Sequence, residues 1–217
     1  MAMQGSHREP LAIVGIGCRF PGNSASPETF WRFLREGRSG IREIPEERFS
    51  LAQFYDTDPQ VNGKINTKYG GFIDNVREFD AQFFGISPRE AEAMDPQQRL
   101  ILTVVWEAFE NAGIPADKLK GSNTAVFMGA SSIDYGQIQR YRRSGADLHA
   151  GTGSAMSIIS NRVSHKYDFH GPSATVDTAC SSSLTATDLA CNAIWRGQSD
   201  LAVVGGVNVL LDPSIFI

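Results

Sequence analysis

Ser173-Ala174-Thr175-Val176-Asp177-Thr178-Ala179-Cys180-Ser181-Ser182-Ser183-Leu184 is the stretch on which the reading of this chain turns. Ala174–Val176 has the short, apolar, partly β-branched character of a buried strand, and Ser181–Trp195 has the composition of a helix. Between them lie only small polar residues and one cysteine. A strand that runs through so short a turn into a helix presents the side chain at the turn, as a hydrolase nucleophile elbow does. Free backbone amides and the positive dipole end at a helix N-terminus favour a thiolate over a thiol, and they can also stabilise a tetrahedral oxyanion. Small neighbours (Ala179, Ser181, Ser182) leave room for an incoming thioester. The residues by themselves leave two readings of Cys180 open, since cysteine is also among the most buried residue types.

Outward from that stretch, apolar strands alternate with helical segments. Leu11–Ile16, Thr124–Gly129 and Leu201–Leu210 read as buried strands. Ser26-Pro27-Glu28 opens a helix with Ser26 as N-cap, an apolar face of Phe30, Trp31, Phe33 and Leu34, and Gly37 as its stop. Ser87-Pro88-Arg89-Glu90 has capping-box spacing, and Asp95-Pro96-Gln97-Gln98 starts a long helix that Gly113 and Pro115 end. The core side of that long helix includes Ile101, Leu102, Val105, Ala108 and Phe109. Ser154–Lys166 reads as a further helix, and Gly40–Phe79 mixes turns with short apolar pieces. The alternation predicts an α/β fold whose parallel sheet is covered on both faces.

Composition excludes several functions. Among 217 residues, 41% are hydrophobic and 20% charged, which suits a globular domain. A net charge of −4 offers no basic surface for nucleic acid. The apolar runs are too short to span a membrane, and Met1–Pro10 lacks the apolar stretch of a signal peptide, so a cytoplasmic location is the expectation. Three separated cysteines make neither a disulfide framework nor a zinc site. Cys191 sits within a helix and Cys18 before Phe20-Pro21-Gly22, where packing roles are expected. Gly15-Ile16-Gly17 after an apolar run invites a dinucleotide-binding reading, but Phe20 replaces the third glycine and Pro21-Gly22 interrupts the receiving helix. Asp56, Asp58, Asp74 and Asp80 lack metal-loop spacing and read as solvated surface.

Asp-Thr-Ala-Cys-Ser-Ser-Ser-Leu at 177–184 resembles the nucleophile motif of ketosynthase domains in modular polyketide synthases and animal-type fatty acid synthases. The resemblance extends to Ile13–Gly22, Phe79–Ala91, Met94–Arg99, Ser160–Ser164, His170–Ser173 and Val204–Asn208, in the family's order. It spans about Glu9 to Ile217, and the Cys-Arg-Phe-Pro-Gly and Ile-Ser-Pro-Arg-Glu-Ala blocks favour the polyketide side. The domain expectation is 9–217 as the N-terminal part of a ketosynthase domain. Residues 1–8 read as a tag or linker, with Gly5-Ser6-His7 as readily a cloning scar as native sequence.

The resemblance implies a thiolase-like layered α/β/α fold, of which this chain would supply the N-terminal half. It implies that Cys180 accepts an acyl chain from the phosphopantetheine arm of an acyl carrier protein, with the Cys180 amide forming half of an oxyanion hole. A malonyl-type extender then loses carbon dioxide, and its carbanion attacks the cysteinyl thioester. No metal or redox cofactor is required. The expected partners are the acyl carrier protein, an adjacent acyltransferase domain and, in the intact protein, a second copy forming a homodimer; neither nucleic acid nor membrane is among them.

The family's two histidines lie in later motifs, His-Gly-Thr-Gly-Thr and Asn-Ile-Gly-His, that this sequence does not contain. His7, His149, His165 and His170 do not match them, and His165 and His170 are expected to be structural. The expectation is therefore a chain shortened by truncation, cleavage or incomplete coverage, which does not condense by itself. Met156 and Ile159, on the helix expected near the twofold axis, are candidates for lining the acyl site or for core packing. Two rival functions are weighed beside condensation: a cysteine-dependent thioester hydrolase using His165 or His170, and a non-catalytic ketosynthase-like scaffold.

Overall fold

The computed structural model describes residues 8–142 and 148–217. Along the chain the elements are α1 (Pro27–Arg35), β1 (Ile41–Glu43), α2 (Leu51–Phe54), β2 (Tyr69–Gly71), α3 (Pro88–Ala93) and α4 (Pro96–Ala112). They continue with β3 (Thr124–Gly129), α5 (Asp134–Arg142), α6 (Leu148–Ser154), α7 (Ser157–Tyr167), β4 (Ser173–Val176), α8 (Ser182–Trp195) and β5 (Leu201–Gly206). Short 3-10 turns lie at Ala116–Leu119 and Pro213–Phe216.

β3 is the centre of a parallel sheet ordered β4-β3-β5 and is buried along its whole length. Its side chains alternate between two helix layers, as the two-residue period of a strand requires. Ala125 and Phe127 pack with Ala186, Ala190 and Ala193 of α8. Val126 and Met128 pack on the other face with Leu102 and Val105 of α4 and Ile159 and Val163 of α7. The small alanines of α8 let that helix lie close to the sheet, while the opposite face holds the larger side chains. A sheet so covered is the α/β arrangement expected.

The helix starts follow their sequence signals. Ser26 accepts the Thr29 amide in a capping box, and Ser87 accepts the Glu90 amide at 3.2 Å. Asp95 accepts the Gln97 amide at 2.8 Å, and Gly113 closes α4 in a left-handed conformation. The Glu90 carboxylate is engaged elsewhere, by Arg162 at 2.7 Å, so that the α3 start is tied to α7. α7 begins later than expected, because Leu148–Ser154 forms the separate α6. The Gly40–Phe79 region contains the antiparallel pair β1-β2, over a small core of Ile44, Phe49, Ile65 and Phe72.

Two expectations fail, and a third element is shorter than expected, the Leu201–Leu210 strand ending at Gly206. Leu11–Ile16 is not a strand. A Cβ on Gly15 would fall 2.3 Å from the Ala108 carbonyl, and one on Gly17 2.4 Å from that of Val104, so this backbone lies directly on α4. Asn111 Oδ1 accepts the Ile16 amide at 3.0 Å, in the place a neighbouring strand would occupy. Ile13, Val14 and Ile16 consequently point outward, Ile13 at 84% exposure. The same placement removes the strand-to-helix turn that dinucleotide binding would need. On α1, Phe30 and Phe33 are half-buried but Trp31 and Leu34 face outward, since no element among the described residues covers that side.

Of the stretch 1–8 read as tag or linker, residues 1–7, including His7, lie outside the described residues. The Arg8 guanidinium lies over the Trp195 ring at 4.5 Å. Among the described residues no helix is long and apolar enough to cross a membrane.

Candidate active site

Three parallel strand ends converge on the turn that carries Cys180. The Ala130 amide donates to the Val176 carbonyl at 3.1 Å, and the Val207 amide to the Gly129 carbonyl at 2.9 Å. The carboxyl ends of β4, β3 and β5 thus lie side by side. In open α/β sheets this edge is where ligands bind.

β4 is held to α7 by hydroxyl groups. The Thr175 hydroxyl donates to Ser160 Oγ at 3.0 Å and accepts the Ser160 amide at 3.2 Å. The Ser164 hydroxyl donates to Ser173 Oγ at 2.8 Å, and the Ser173 hydroxyl donates to Asn161 Oδ1 at 2.8 Å.

After Val176 the chain makes a tight, cross-braced turn. Asp177 Oδ1 accepts the Ala179 amide at 3.0 Å. Ala179 then takes φ = 54°, the left-handed region that a residue with a Cβ enters at a cost of about 1–3 kcal/mol. The Ser182 hydroxyl accepts the Thr178 amide at 2.9 Å and donates to the Ala179 carbonyl at 2.7 Å. The Ser181 hydroxyl donates to the Thr178 carbonyl at 2.8 Å, and Thr178 Oγ1 lies 3.1 Å from Thr185 Oγ1. These contacts surround a single exposed thiol, that of Cys180. α8 begins two residues later. The strand, the turn and the helix start all fall where the sequence placed them.

The thiol opens on a cleft of about 1320 Å³ between the 11–21 segment, α4, α8 and β5. Its walls include Ile101, Val104, Met128, Ala190, Val203 and Val207, which make it predominantly apolar. Cys18 and Cys191 border the same cleft. Cys18 is buried, and that burial pushes its thiol upward despite the neighbouring Arg19. Arg19 itself is paired with Glu107. Cys191 is half-buried within α8, in keeping with the packing role expected of it.

The other candidates lie apart from the thiol. His165 and His170 are exposed, and neither borders the cleft. His170 Nε2 instead lies 3.0 Å from Asp168. Ile159 is a core residue and Met156 packs against the same cluster, so both take the core alternative in this structure.

Two residues of the site carried no functional expectation. A Cβ on Gly129 would lie 2.5 Å from the Ser183 amide nitrogen, and one on Gly206 2.7 Å from Ser183 Cβ. Glycines closing two apolar strands were the visible signal, but their opposition to the same helix turn is a tertiary fact.

Known proteins share this arrangement. Residues 8–217 match the family model for the beta-ketoacyl synthase, N-terminal domain. Over 205 residues the chain is 50% identical to a phenolphthiocerol/phthiocerol polyketide synthase of Mycobacterium tuberculosis, covering 94% of this chain and 13% of that protein. It is 48% identical over 210 residues to the pikromycin polyketide synthase component PikAII of Streptomyces venezuelae, covering 96% of this chain and 6% of that one. The oxazolomycin ketosynthase domain OzmH KS7 of Streptomyces albus JA3453 superposes with a TM-score of 0.86 at 43% identity, covering 94% of this chain and 35% of that one. The chain thus spans about a third of a solved ketosynthase and a small part of the synthases it matches. With its thiolase-like α/β fold, it belongs to the beta-ketoacyl synthase family, on the polyketide-synthase side, as the N-terminal part of a ketosynthase domain.

Proposed function

We propose that Cys180 is the acyl-accepting nucleophile of a polyketide-synthase ketosynthase. The observation that carries this reading is the exposed Cys180 thiol, held in a braced turn between β4 and α8 at the edge of an apolar cleft. The Cys180 thiolate attacks the carbonyl carbon of an acyl thioester borne on the phosphopantetheine of an acyl carrier protein. The carrier thiol leaves with a proton, and the acyl group remains on Cys180. Covalent capture divides a difficult condensation into two easier steps. The Cys180 amide, next to the N-terminus of α8, faces the developing oxyanion.

In the intact domain, decarboxylation of a malonyl-type thioester generates the carbanion that attacks the acyl-Cys180 carbonyl and releases a β-ketoacyl product. That step draws on the family's two later histidine motifs, which this sequence does not contain. The chain by itself therefore takes up an acyl group and does not condense it. The partners of the reading are an acyl carrier protein, an adjacent acyltransferase domain and a second copy of the protein, in the cytoplasm. Residues 9–217 form the ketosynthase part, with no bound cofactor.

The test is incubation with a short-chain acyl-pantetheine thioester, followed by intact mass and peptide mapping. The expected result is one acyl adduct, on the peptide bearing Cys180, absent in Cys180→Ala. Steady release of free acid that depends on His165 or His170 would overturn condensation in favour of hydrolysis. An unmodified Cys180 would leave the scaffold reading.

A further inference from the structure

We propose that Gly129 and Gly206 are positioning residues for Cys180, forming a Cβ-free seat on which the first turn of α8 rests. The inference rests on the reading of Cys180 as the acyl acceptor and adds what fixes that thiol in place. The two glycines are direct partners in the β3-β5 register, so they lie side by side at the strand ends. Above them is the same residue, Ser183.

The contacts explain why neither position can carry a side chain. A Cβ on Gly129 would lie 2.5 Å from the Ser183 nitrogen, 2.6 Å from the Ser182 carbonyl carbon and 2.8 Å from Ser183 Cα. All three are backbone atoms, so no rotamer change makes room. A Cβ on Gly206 would lie 2.7 Å from Ser183 Cβ, with the Gly129 carbonyl oxygen at 3.7 Å. Either addition lifts the helix start from the sheet. Ser182, whose hydroxyl holds the Thr178 amide and the Ala179 carbonyl, lifts with it. Displacement at Ser182 and Ser183 thus passes through two hydrogen bonds to the turn that carries Cys180. Gly205, one residue earlier, has a different environment. The nearest atoms to its added Cβ would be the Met128 sulfur at 3.1 Å and the Ile101 Cδ1 and Met128 Cε at 3.9 Å, all towards the ends of side chains rather than backbone.

The experiment measures iodoacetamide alkylation of Cys180 and Cys191 in the same 217-residue chain, by peptide mapping against time. Cys191 lies further along α8 and reports general loosening of the helix. Gly206→Ala is expected to slow Cys180 alkylation by about tenfold while Cys191 stays within about twofold, as moving the thiol out of its exposed place beside the helix start would produce. Adding Ser183→Gly removes the atom that the new methyl strikes, and is expected to restore Cys180 to within about threefold of the original rate. Gly129→Ala is expected to slow Cys180 at least as much as Gly206→Ala, and Gly205→Ala to leave it within about twofold.

Wild-type Cys180 reactivity in Gly206→Ala would overturn the seat. So would a parallel change in both cysteines that Ser183→Gly fails to reverse. If Gly129→Ala does not fold, the Gly206→Ala and Ser183→Gly pair decides the question. A wild-type chain in which Cys180 alkylates no faster than Cys191 would instead refute the reading of Cys180 itself.

Discussion

The Ser182 hydroxyl donates to the Ala179 carbonyl at 2.7 Å and so ties the first residue of α8 back across Cys180 to the residue before it. The same oxygen accepts the Thr178 amide at 2.9 Å. One buried side chain therefore satisfies two backbone groups of a turn that makes no regular ladder.

Ser182→Ala leaves both groups without this partner. Thr178 and Ala179 are exposed and the Ala179 carbonyl keeps the Ser182 amide at 3.1 Å, so the cost is that of ordinary hydrogen bonds, about 0.5–1.5 kcal/mol. The expected outcome is a loss of that size in urea unfolding, together with slower alkylation of Cys180. Full stability in the alanine variant would show that water takes over both bonds.

Leu102 is wholly buried between α4 and the sheet. Leu102→Ala removes its contacts with the Val126 and Met128 face, and should cost about 2–5 kcal/mol. Chemical denaturation of the folded chain measures the loss directly.

Asp95 should give stability a distinctive pH dependence. Burial raises its carboxyl from 3.8 to about 6; the hydrogen bonds from Gln97 oppose the rise, and the nearby Asp134 adds to it. Because the folded value lies above the unfolded one, the folded chain binds the extra proton between those values. The contribution of Asp95 is therefore most favourable below about pH 4, falls as pH rises towards 6, and is level above that. Asp95→Asn keeps an oxygen for the Gln97 amide and removes the charge. Its stability relative to wild type should improve between pH 4 and pH 7 by an amount on the order of 3 kcal/mol. A difference that does not change with pH would refute the assignment.

His165→Gln and His170→Gln should leave acyl transfer to Cys180 within about twofold of wild type, since neither ring borders the cleft. Single-turnover acylation with a pantetheine thioester measures this. A drop of about a hundredfold in either variant would restore the hydrolase reading.

The readable parts of the sequence were those governed by neighbouring residues. The cap positions of Ser26, Ser87 and Asp95 announce themselves, because each side chain bonds to an amide two or three residues on. The turn at Cys180 was legible for a similar reason, as β-branched residues give way at once to small polar ones. Leu11–Ile16 was misread because its composition suits a strand, whereas its backbone lies on α4 and uses the Asn111 side chain. Trp31 and Leu34 show the same limit: helical spacing reveals an apolar face but not whether anything covers it. Gly129 and Gly206 were opaque for a stronger reason, since the atoms that forbid a side chain there belong to residues more than twenty positions away. The chemistry of the thiol came from family resemblance, because a turn can show that a group is presented but not what it reacts with.

The alternation along β3 has a consequence for refolding. Ala125 and Phe127 face α8, Val126 and Met128 face α4 and α7, and Gly129 lies beneath Ser183. A slip of one residue against β4 or β5 would exchange the two faces and bring a methionine or an alanine under the helix start. Correct strand alignment and correct presentation of the thiol are thus a single event. Fast labelling of Cys180 in recovered protein would certify that the sheet had found its register, much as a key that turns certifies every pin in the lock.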